Sequence, residues 1–379
     1  MGFVAVDIGA SNTRYVADNG KVSILANNMV FESMDKEIDV ETYNGNLDAN
    51  LEVIIEKEGK SEYFPTKVLI GQIAESYSSN NERPSGLTNK HTQKINYISG
   101  VVAAAISKLK NGGSDAINLF VALPPIECRT AKEEVERRFK GRYTVTFPRY
   151  KEGTKINFEI VSVQCFEESF LALLSYFFDA KGQVKQTSEK YMFGNVLSLD
   201  IGATTTDLAI VKNGRYLNKS GQTYRNGVNI ARDYLVDSVR ARFGFDLPLD
   251  DAVLTMCEGR LQLGNKYEDI SELVDDAKIH LAKSIVNQMQ GYFRQIDIPI
   301  QTIRAIVVSG GGSLQSQYIN DKNEVVVTSK PLSFHITQFI KDICSGVEVE
   351  EHGENPRMAN INGLFIRAKV EADKKESKQ

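Results

Sequence analysis

Two stretches of the chain carry the same run of apolar and polar positions. Phe3-Val4-Ala5-Val6 leads into Asp7-Ile8-Gly9-Ala10-Ser11-Asn12-Thr13, and Val196-Leu197-Ser198-Leu199 leads into Asp200-Ile201-Gly202-Ala203-Thr204-Thr205-Thr206. Each reads as a buried strand, an aspartate and a glycine turn of small and hydroxyl residues. A return strand follows, Tyr15-Val16-Ala17 in the first copy and Leu208-Ala209-Ile210-Val211 in the second. This is a β-hairpin pattern. Two copies so far apart predict two similar domains, each opening on the same hairpin.

Between and after the hairpins the periodicity alternates. Strands are predicted over residues 68–70, 119–123, 158–166 and 305–308. Helical spacing is predicted over 95–109, 131–139, 170–177, 230–243 and 270–293. The alternation points to α/β layers. Residues 78–92 are polar with Gly and Pro and read as a surface loop. Asn355-Pro356 reads as an N-cap with proline at the first helical position, opening a last helix through Met358, Ile361 and Phe365. The charged tail, 371–379, is expected to be disordered. The division expected is residues 1–168 plus 341–379 for the first domain and 169–340 for the second.

Composition narrows the classes. A chain of 379 residues exceeds one ordinary core, which again predicts two domains. A net charge of −4 argues against nonspecific DNA binding, whose phosphate contacts need a basic surface; DNA reached through a partner stays open. No apolar stretch approaches the roughly 20 residues that span a bilayer. The opening apolar run is short and lacks the basic flank of a signal peptide, and Val6 stands where a myristoylated Gly2 requires Ser or Thr. No membrane association and a cytoplasmic location are expected. Cys128, Cys165, Cys257 and Cys344 show no CxxC spacing, so reduced thiols and no zinc site are expected. His91, His280, His335 and His352 form no i, i+4 pair and read as surface or satisfied histidines. Arg129, Lys132, Arg137, Arg138, Lys140 and Arg142, interleaved with Glu133, Glu134 and Glu136, read as a solvated helix face.

The hairpin turns carry the chemistry. A triphosphate needs backbone N–H donors on a tight turn, and successive N–H groups in such turns make anion-binding concavities. Gly9-Ala10-Ser11-Asn12 and Gly202-Ala203-Thr204-Thr205 both qualify. Asp7 and Asp200, at the ends of the preceding strands, would face the same anion. Carboxylates beside a triphosphate serve Mg²⁺, directly or through its waters. Gly310-Gly311-Gly312, after a buried strand, would let a flat ring or ribose lie against the backbone. One strand–Asp–Gly hairpin is usually a structural turn only. The matched pair, the glycine run and their order are far more specific, and neither GxxxxGK[ST] nor GxGxxG is present.

On these residues the chain resembles the actin, Hsp70 and sugar-kinase superfamily over nearly its whole length. The resemblance implies an α/β, actin-like (ribonuclease H-like) fold of duplicated domains with a nucleotide in the cleft between them. It makes the two hairpins the phosphate motifs and Gly310, Gly311 and Gly312 the adenosine motif. Within the superfamily the chain most resembles plasmid-segregation actins of the ParM type. Met358-Ala359-Asn360-Ile361-Asn362-Gly363-Leu364 is similar to that group's Ala-Asn-Gly-containing last helix, and Glu168-Ser169 to its Glu-Ser step. There the glutamate helps position the attacking water. That role falls to Glu168, with Glu167 and with Gln164 as alternatives, since muscle-type actin uses a glutamine near this junction. The group commonly carries a lysine on the strand leaving the first turn. Here the slot holds Arg14, a planar fork instead of a point charge.

The function so implied is a filament-forming ATPase that hydrolyses ATP, or GTP, with Mg²⁺. Its filament would move plasmid or other DNA through a DNA-binding adaptor on a centromere-like DNA site, without touching DNA itself. Two other readings stand beside it. A small-molecule kinase needs a general base against a substrate hydroxyl, and no sugar-kinase signature lies between Asp115 and Tyr176. A non-polymerising ATP-binding scaffold needs neither hydrolysis nor assembly.

Overall fold

The computed structural model describes residues 2–32, 50–75, 82, 89–151, 153–217, 219–353 and 355–376. The chain divides into two compact units, Met1–Gln183 with Asn360–Gln379, and Val184–Ala359.

The first unit opens on the hairpin β1 (Gly2–Ile8) and β2 (Asn12–Ala17). It continues through β3 (Ser23–Ala26), β4 (Met29–Glu32), β5 (Asn50–Lys57), β6 (Thr66–Gly71), α1 (Gln72–Glu75), α2 (Lys94–Asn111) and β7 (Ala116–Leu123). Then come α3 (Pro125–Thr130), α4 (Lys132–Phe139), β8 (Gly141–Phe147), β9 (Thr154–Glu167) and α5 (Glu168–Phe177). The strands form one sheet in the order β3-β2-β1-β7-β9-β8-β5-β6-β4. Strands β1, β7 and β9 are parallel, with Asp7 level with Ala122 and Ala122 level with Phe166. Val6, Ile8, Leu119, Val121, Val163 and Cys165 bury against α2, whose Ile98, Val102 and Ile106 are inaccessible to water. This apolar burial is the main stabilising term.

The second unit repeats the opening with β10 (Asn195–Ile201) and β11 (Thr206–Lys212). Next are β12 (Arg215–Tyr216), β13 (Gln222–Tyr224), α6 (Asn229–Phe243), α7 (Leu249–Glu258), β14 (Arg260–Leu263), β15 (Lys266–Asp269) and α8 (Ser271–Ile296). The unit ends with β16 (Ile303–Ser309), β17 (Ser316–Ile319), β18 (Val325–Ser329), α9 (Leu332–Ile343) and β19 (Glu348–Glu351). Its main sheet runs β12-β11-β10-β16-β19, with β13 also on β11. Leu197, Leu199, Leu208 and Ile210 pack with Leu281, Ile285 and Met289 of α8. The last helix, α10 (Ala359–Glu376), lies almost wholly in the first unit.

The repeated hairpin is thus part of a repeated sheet. In both units an antiparallel hairpin stands on one side and two parallel strands on the other: β2-β1-β7-β9 and β11-β10-β16-β19. The register repeats as well, since Asp7 pairs with Arg14 and Asp200 with Asp207.

Three details differ from the sequence reading. The division between units falls at 183/184 and 359/360. Helix α5 stays with the first unit because it packs on β7 and β9, and β19 stays with the second because it pairs with β16. Asn355 precedes a 3₁₀ turn, Pro356–Met358, and its side chain makes no capping bond; the α-helix proper starts at Ala359. The charged tail is helical through Glu376, supported by an Arg367–Glu371 pair at 2.7 Å; such i, i+4 pairs stabilise exposed helical turns. Most of the loop predicted over 78–92 lies outside the described residues, as do 377–379.

Helix α10 approaches α5 so closely that a Cβ on Gly363 would stand 1.9 Å from the Leu171 carbonyl oxygen. Backbone cannot yield as a flexible side chain does. We expect Gly363→Ala to destabilise the first unit by about 3 kcal/mol. Thermal unfolding checks it; an unchanged midpoint contradicts this packing.

Candidate functional site

The first turn, between β1 and β2, is closed by the Gly9 N–H donating to the Asn12 carbonyl at 2.9 Å. Its other carbonyls are tied inward by Asn27, which is fully buried. The Asn27 amide donates from Nδ2 to the Gly9 carbonyl at 2.6 Å, and its main-chain N–H donates to the Ser11 carbonyl at 3.0 Å. Asn27 Oδ1 in turn accepts from Thr13 Oγ1 at 2.7 Å and Ser99 Oγ at 3.0 Å. No hydrogen bond among the described residues uses the Ala10 or Ser11 N–H. Ala10 is half-buried and Ser11 exposed, so both donors are open to a ligand, and successive free N–H groups at a small-residue turn suit an anion. Asp7 is buried, with Arg14 Nη1 3.5 Å from its Oδ2. Arg14 Nε is buried without a hydrogen-bond partner among the described residues.

The second turn is built alike. Gly202 N–H donates to the Thr205 carbonyl at 2.8 Å. The Gly202 and Ala203 carbonyls accept from the Val228 and Asn229 N–H groups at 3.0 and 2.8 Å, tying the turn to the start of α6. The Ala203 and Thr204 N–H groups carry no hydrogen bond among the described residues. Asp200 is buried and accepts from Ser309 Oγ at 3.1 Å. The slot that holds Arg14 in the first hairpin holds buried Asp207 here. The two turns share a backbone but not a charge: the first pairs its aspartate with a cation, the second with another carboxylate.

The register separates the water-positioning candidates. Gln164 is level with Phe120 and, through it, with Ala5, so it lies inside the sheet. Glu167 ends β9 and Glu168 follows it, at the carboxyl edge of the parallel strands, the edge where β1 runs into Gly9. Ligands of open α/β sheets bind at this edge. Glu168 opens α5, is 6% exposed and pairs with Lys90 Nζ at 2.7 Å. Glu167 is only half-buried. Within the first unit, Asp7, the first turn and Glu168 therefore share one edge.

In the second unit β16 delivers the glycine run to the corresponding edge, with Ser309 level with Asp200. Gly310 has φ +89°, and a Cβ there would meet the Ile201 carbonyl oxygen at 2.4 Å; one on Gly312 would meet Val228 Cγ2 at 2.4 Å. The first and third glycines are thus required by packing against β10 and the start of α6. Gly311 is the open member, with the Arg357 guanidinium Nε 3.7 Å from where its Cβ would be. Of the three glycines only Gly311 has room in the Cβ direction.

Burial pushes the Cys128 thiol up to about 11 and raises Cys165 further, so both stay protonated. His91 Nδ1 lies 3.0 Å from Glu127 Oε2, His335 Nε2 lies 3.3 Å from Asp275, and His280 stacks on Tyr234. The basic stretch is a solvated face in part: Arg138 pairs with Glu134 at 2.6 Å, while its guanidinium also lies over Tyr63 and Tyr97.

Sequence reasoning missed Asn27 and Lys90. Ala26-Asn27-Asn28 carries a faint signal, since polar residues rarely follow a strand into a fully buried position without a partner. Lys90 carries none: Asn89-Lys90-His91-Thr92 reads like any polar loop.

Comparison with known proteins agrees with this architecture. The profile for the N-terminal domain of actin-like proteins matches residues 5–170, and that for the C-terminal part of archaeal MreB-like actin homologues matches residues 198–318. No curated protein matches the sequence significantly. Among solved structures, a 15-stranded ParM filament from Clostridium botulinum is similar over 97% of this chain and 99% of its own, with 17% identity and a TM-score of 0.67. The actin-like protein Alp7A is similar over 99% of this chain and 98% of its own, with 14% identity and a TM-score of 0.70. ParM from Bacillus thuringiensis, solved with ATP, is similar over 98% of this chain and 99% of its own, at 15% identity and a TM-score of 0.67. The duplicated hairpin-led sheet, the actin-like profiles that match both units in chain order and the end-to-end likeness to ParM and Alp7A together give this chain an actin-like fold.

Proposed function

We propose that this protein is a filament-forming nucleoside triphosphatase. It binds ATP, or GTP, through its two strand–Asp–Gly turns, one from each unit, and assembles with further copies of itself. The observation that carries this reading is the pair of turns: each leaves two backbone N–H groups without an acceptor among the described residues, beside a buried aspartate. Gly9, Ala10, Ser11 and Asn12 in the first unit, and Gly202, Ala203, Thr204 and Thr205 in the second, are the phosphate-binding turns. Arg14 adds a cation, and Gly311, between Gly310 and Gly312, takes the adenosine. Asp7 and Asp200 fit Mg²⁺, since oxygen ligands suit this hard ion. Bound there, Mg²⁺ would offset phosphate charge. Glu168 orients the attacking water.

Self-assembly rests on the shared fold with a ParM filament. Head-to-tail contacts build open filaments when their rotation does not close. We infer further that the filament works in the cytoplasm and moves plasmid or other DNA through a DNA-binding adaptor on a centromere-like site, as its net charge of −4 leaves it poorly suited to grip DNA itself. No helix among the described residues is long and apolar enough to cross a membrane.

Titration calorimetry with a slowly hydrolysed ATP analogue tests the binding reading. We expect one nucleotide per chain. Arg14→Ala should weaken triphosphate binding by roughly ten- to a hundredfold, the worth of a charged hydrogen bond, with a smaller loss for the diphosphate. Parent-like affinity in this variant contradicts the place given to Arg14.

A further inference from the structure

Glu168 is held by a part of the chain that neither the sequence pattern nor the fold comparison singles out. The three-residue 3₁₀ turn Lys90–Thr92 lies just before α2. Its main chain is fixed by side chains from two helices. Glu127 of α3 accepts from the Lys90 N–H at 2.9 Å through Oε1, and from the His91 N–H at 2.9 Å through Oε2. Asn96 of α2 donates from Nδ2 to the Lys90 carbonyl at 2.8 Å, and the Tyr97 hydroxyl donates to the His91 carbonyl at 2.9 Å. The His91 ring completes the set: Glu127 accepts only, so Nδ1 carries the proton between them. Every main-chain polar group of Lys90 and His91 is thereby bonded to a side chain.

So much fixation of a short polar turn is more than loop closure requires. What it sets is the origin of the Lys90 side chain, whose Nζ ends 2.7 Å from Glu168 Oε1. Glu168 is buried, and a buried carboxylate stays ionised only when it is paired and hydrogen-bonded. A long lysine stem loses rotamer entropy on being held; anchoring its backbone lowers the remaining cost of placing the ammonium. Groups that must sit within a fraction of an ångström of a productive geometry are supported in this way.

We propose that Lys90 is a positioning residue for hydrolysis, fixing the rotamer of Glu168 from the braced turn at Lys90–Thr92. The proposal rests on the role given to Glu168 above. Lys90 acts through that carboxylate, so its loss lowers the rate of the hydrolytic step and leaves nucleotide affinity alone.

The test uses the full chain with Mg-ATP and compares Lys90→Gln, Lys90→Arg, Glu168→Gln and the Lys90→Gln/Glu168→Gln double variant. Phosphate release gives kcat and KM, and a fluorescent ATP analogue gives Kd. Lys90→Gln should lower kcat by about ten- to a hundredfold, with KM and Kd within about twofold of the parent. Lys90→Arg should recover most of kcat, because the positive charge is kept. The double variant should release phosphate no more slowly than Glu168→Gln alone, since both changes act on one carboxylate. Parent-rate release by Lys90→Gln while Glu168→Gln is impaired overturns the role of Lys90 alone. A loss in Lys90→Gln carried by Kd, or failure of arginine to recover kcat, does the same. Parent-rate release by Glu168→Gln overturns the role of Glu168 itself, and this proposal with it.

Discussion

Replacing Glu168 with glutamine will slow phosphate release by on the order of a hundred- to ten-thousandfold, the usual worth of a general-base contribution, while ATP binding and filament assembly persist. Glutamine is the informative choice because its amide oxygen still accepts from Lys90 Nζ, 2.7 Å from the native carboxylate, so the braced turn keeps an acceptor. Phosphoryl transfer depends mainly on positioning and on neutralising oxygen charge. The glutamate therefore need not be a strong base; it has to hold a water in line and take its proton late. Neither binding nor assembly needs that water. Filaments of the variant should outlast those of the parent, and pelleting at intervals after ATP addition reads this directly. Unchanged release moves the role to half-buried Glu167. Gln164 is the weaker substitute, because the register places it inside the sheet, level with Ala5. Lost assembly shows instead that the strand-to-helix junction at Glu168 is structural.

The second large effect is expected at Asp200. Asp200→Ala should cut Mg²⁺-dependent turnover by at least about a hundredfold, since a metal ion on a phosphoryl group is worth several kcal/mol of charge stabilisation. The fold should survive: β10 is held by main-chain ladders to β11 and β16, and the side chain's bond to Ser309 Oγ is replaceable by water at a strand end. Asp7→Ala should have the smaller effect, because Asp7 already shares its charge with Arg14 at 3.5 Å. Measuring turnover against Mg²⁺ concentration, with circular dichroism to confirm folding, decides it. A folded Asp200→Ala protein at parent turnover removes this carboxylate from the metal's reach, and Asp207, its cross-strand partner, becomes the next residue to test.

Much of this was legible before the structure. The hairpins were, because an unbroken apolar strand, an aspartate and a small-residue turn are local features, and local features leave a local pattern. Their repetition carried the topology, since the same hairpin at Asp7 and Asp200 is followed in each unit by parallel strands in the same order. The long helices were legible for the same reason: α8 buries one side through many turns, and α2 is buried all round from Ile95 to Ser107. Strands β5 and β8, which extend the first sheet, lie outside the predicted strands; Leu51-Glu52-Val53 and Tyr143-Thr144-Val145-Thr146 alternate, but only over a few residues.

What the sequence could not show is long-range. The Lys90–Glu168 pair spans 78 positions, and an ion pair across that separation leaves no periodicity. Asn27 reaches Gly9 and Ser99 across 18 and 72 positions. The glycine run was read for its openness, yet two of its three members are small because β10 and the start of α6 press on them. Composition reports that a glycine is needed, not which atoms require it. The charged tail misled in the opposite sense: low hydrophobicity predicts disorder, but Arg367, Glu371 and Lys374 pair along one face of α10 and carry the helix on.

Nucleotide binding, assembly and hydrolysis are expected to form one cycle in one chain. Right-angle light scattering and phosphate release, followed together in one cuvette after adding ATP and Mg²⁺, test it most directly. Scattering should rise on ATP addition, phosphate release should follow the rise, and scattering should fall as ATP is consumed. GTP should either replace ATP in this cycle or fail in both signals together. A flat scattering trace with phosphate release, or neither signal with either nucleotide, contradicts the account.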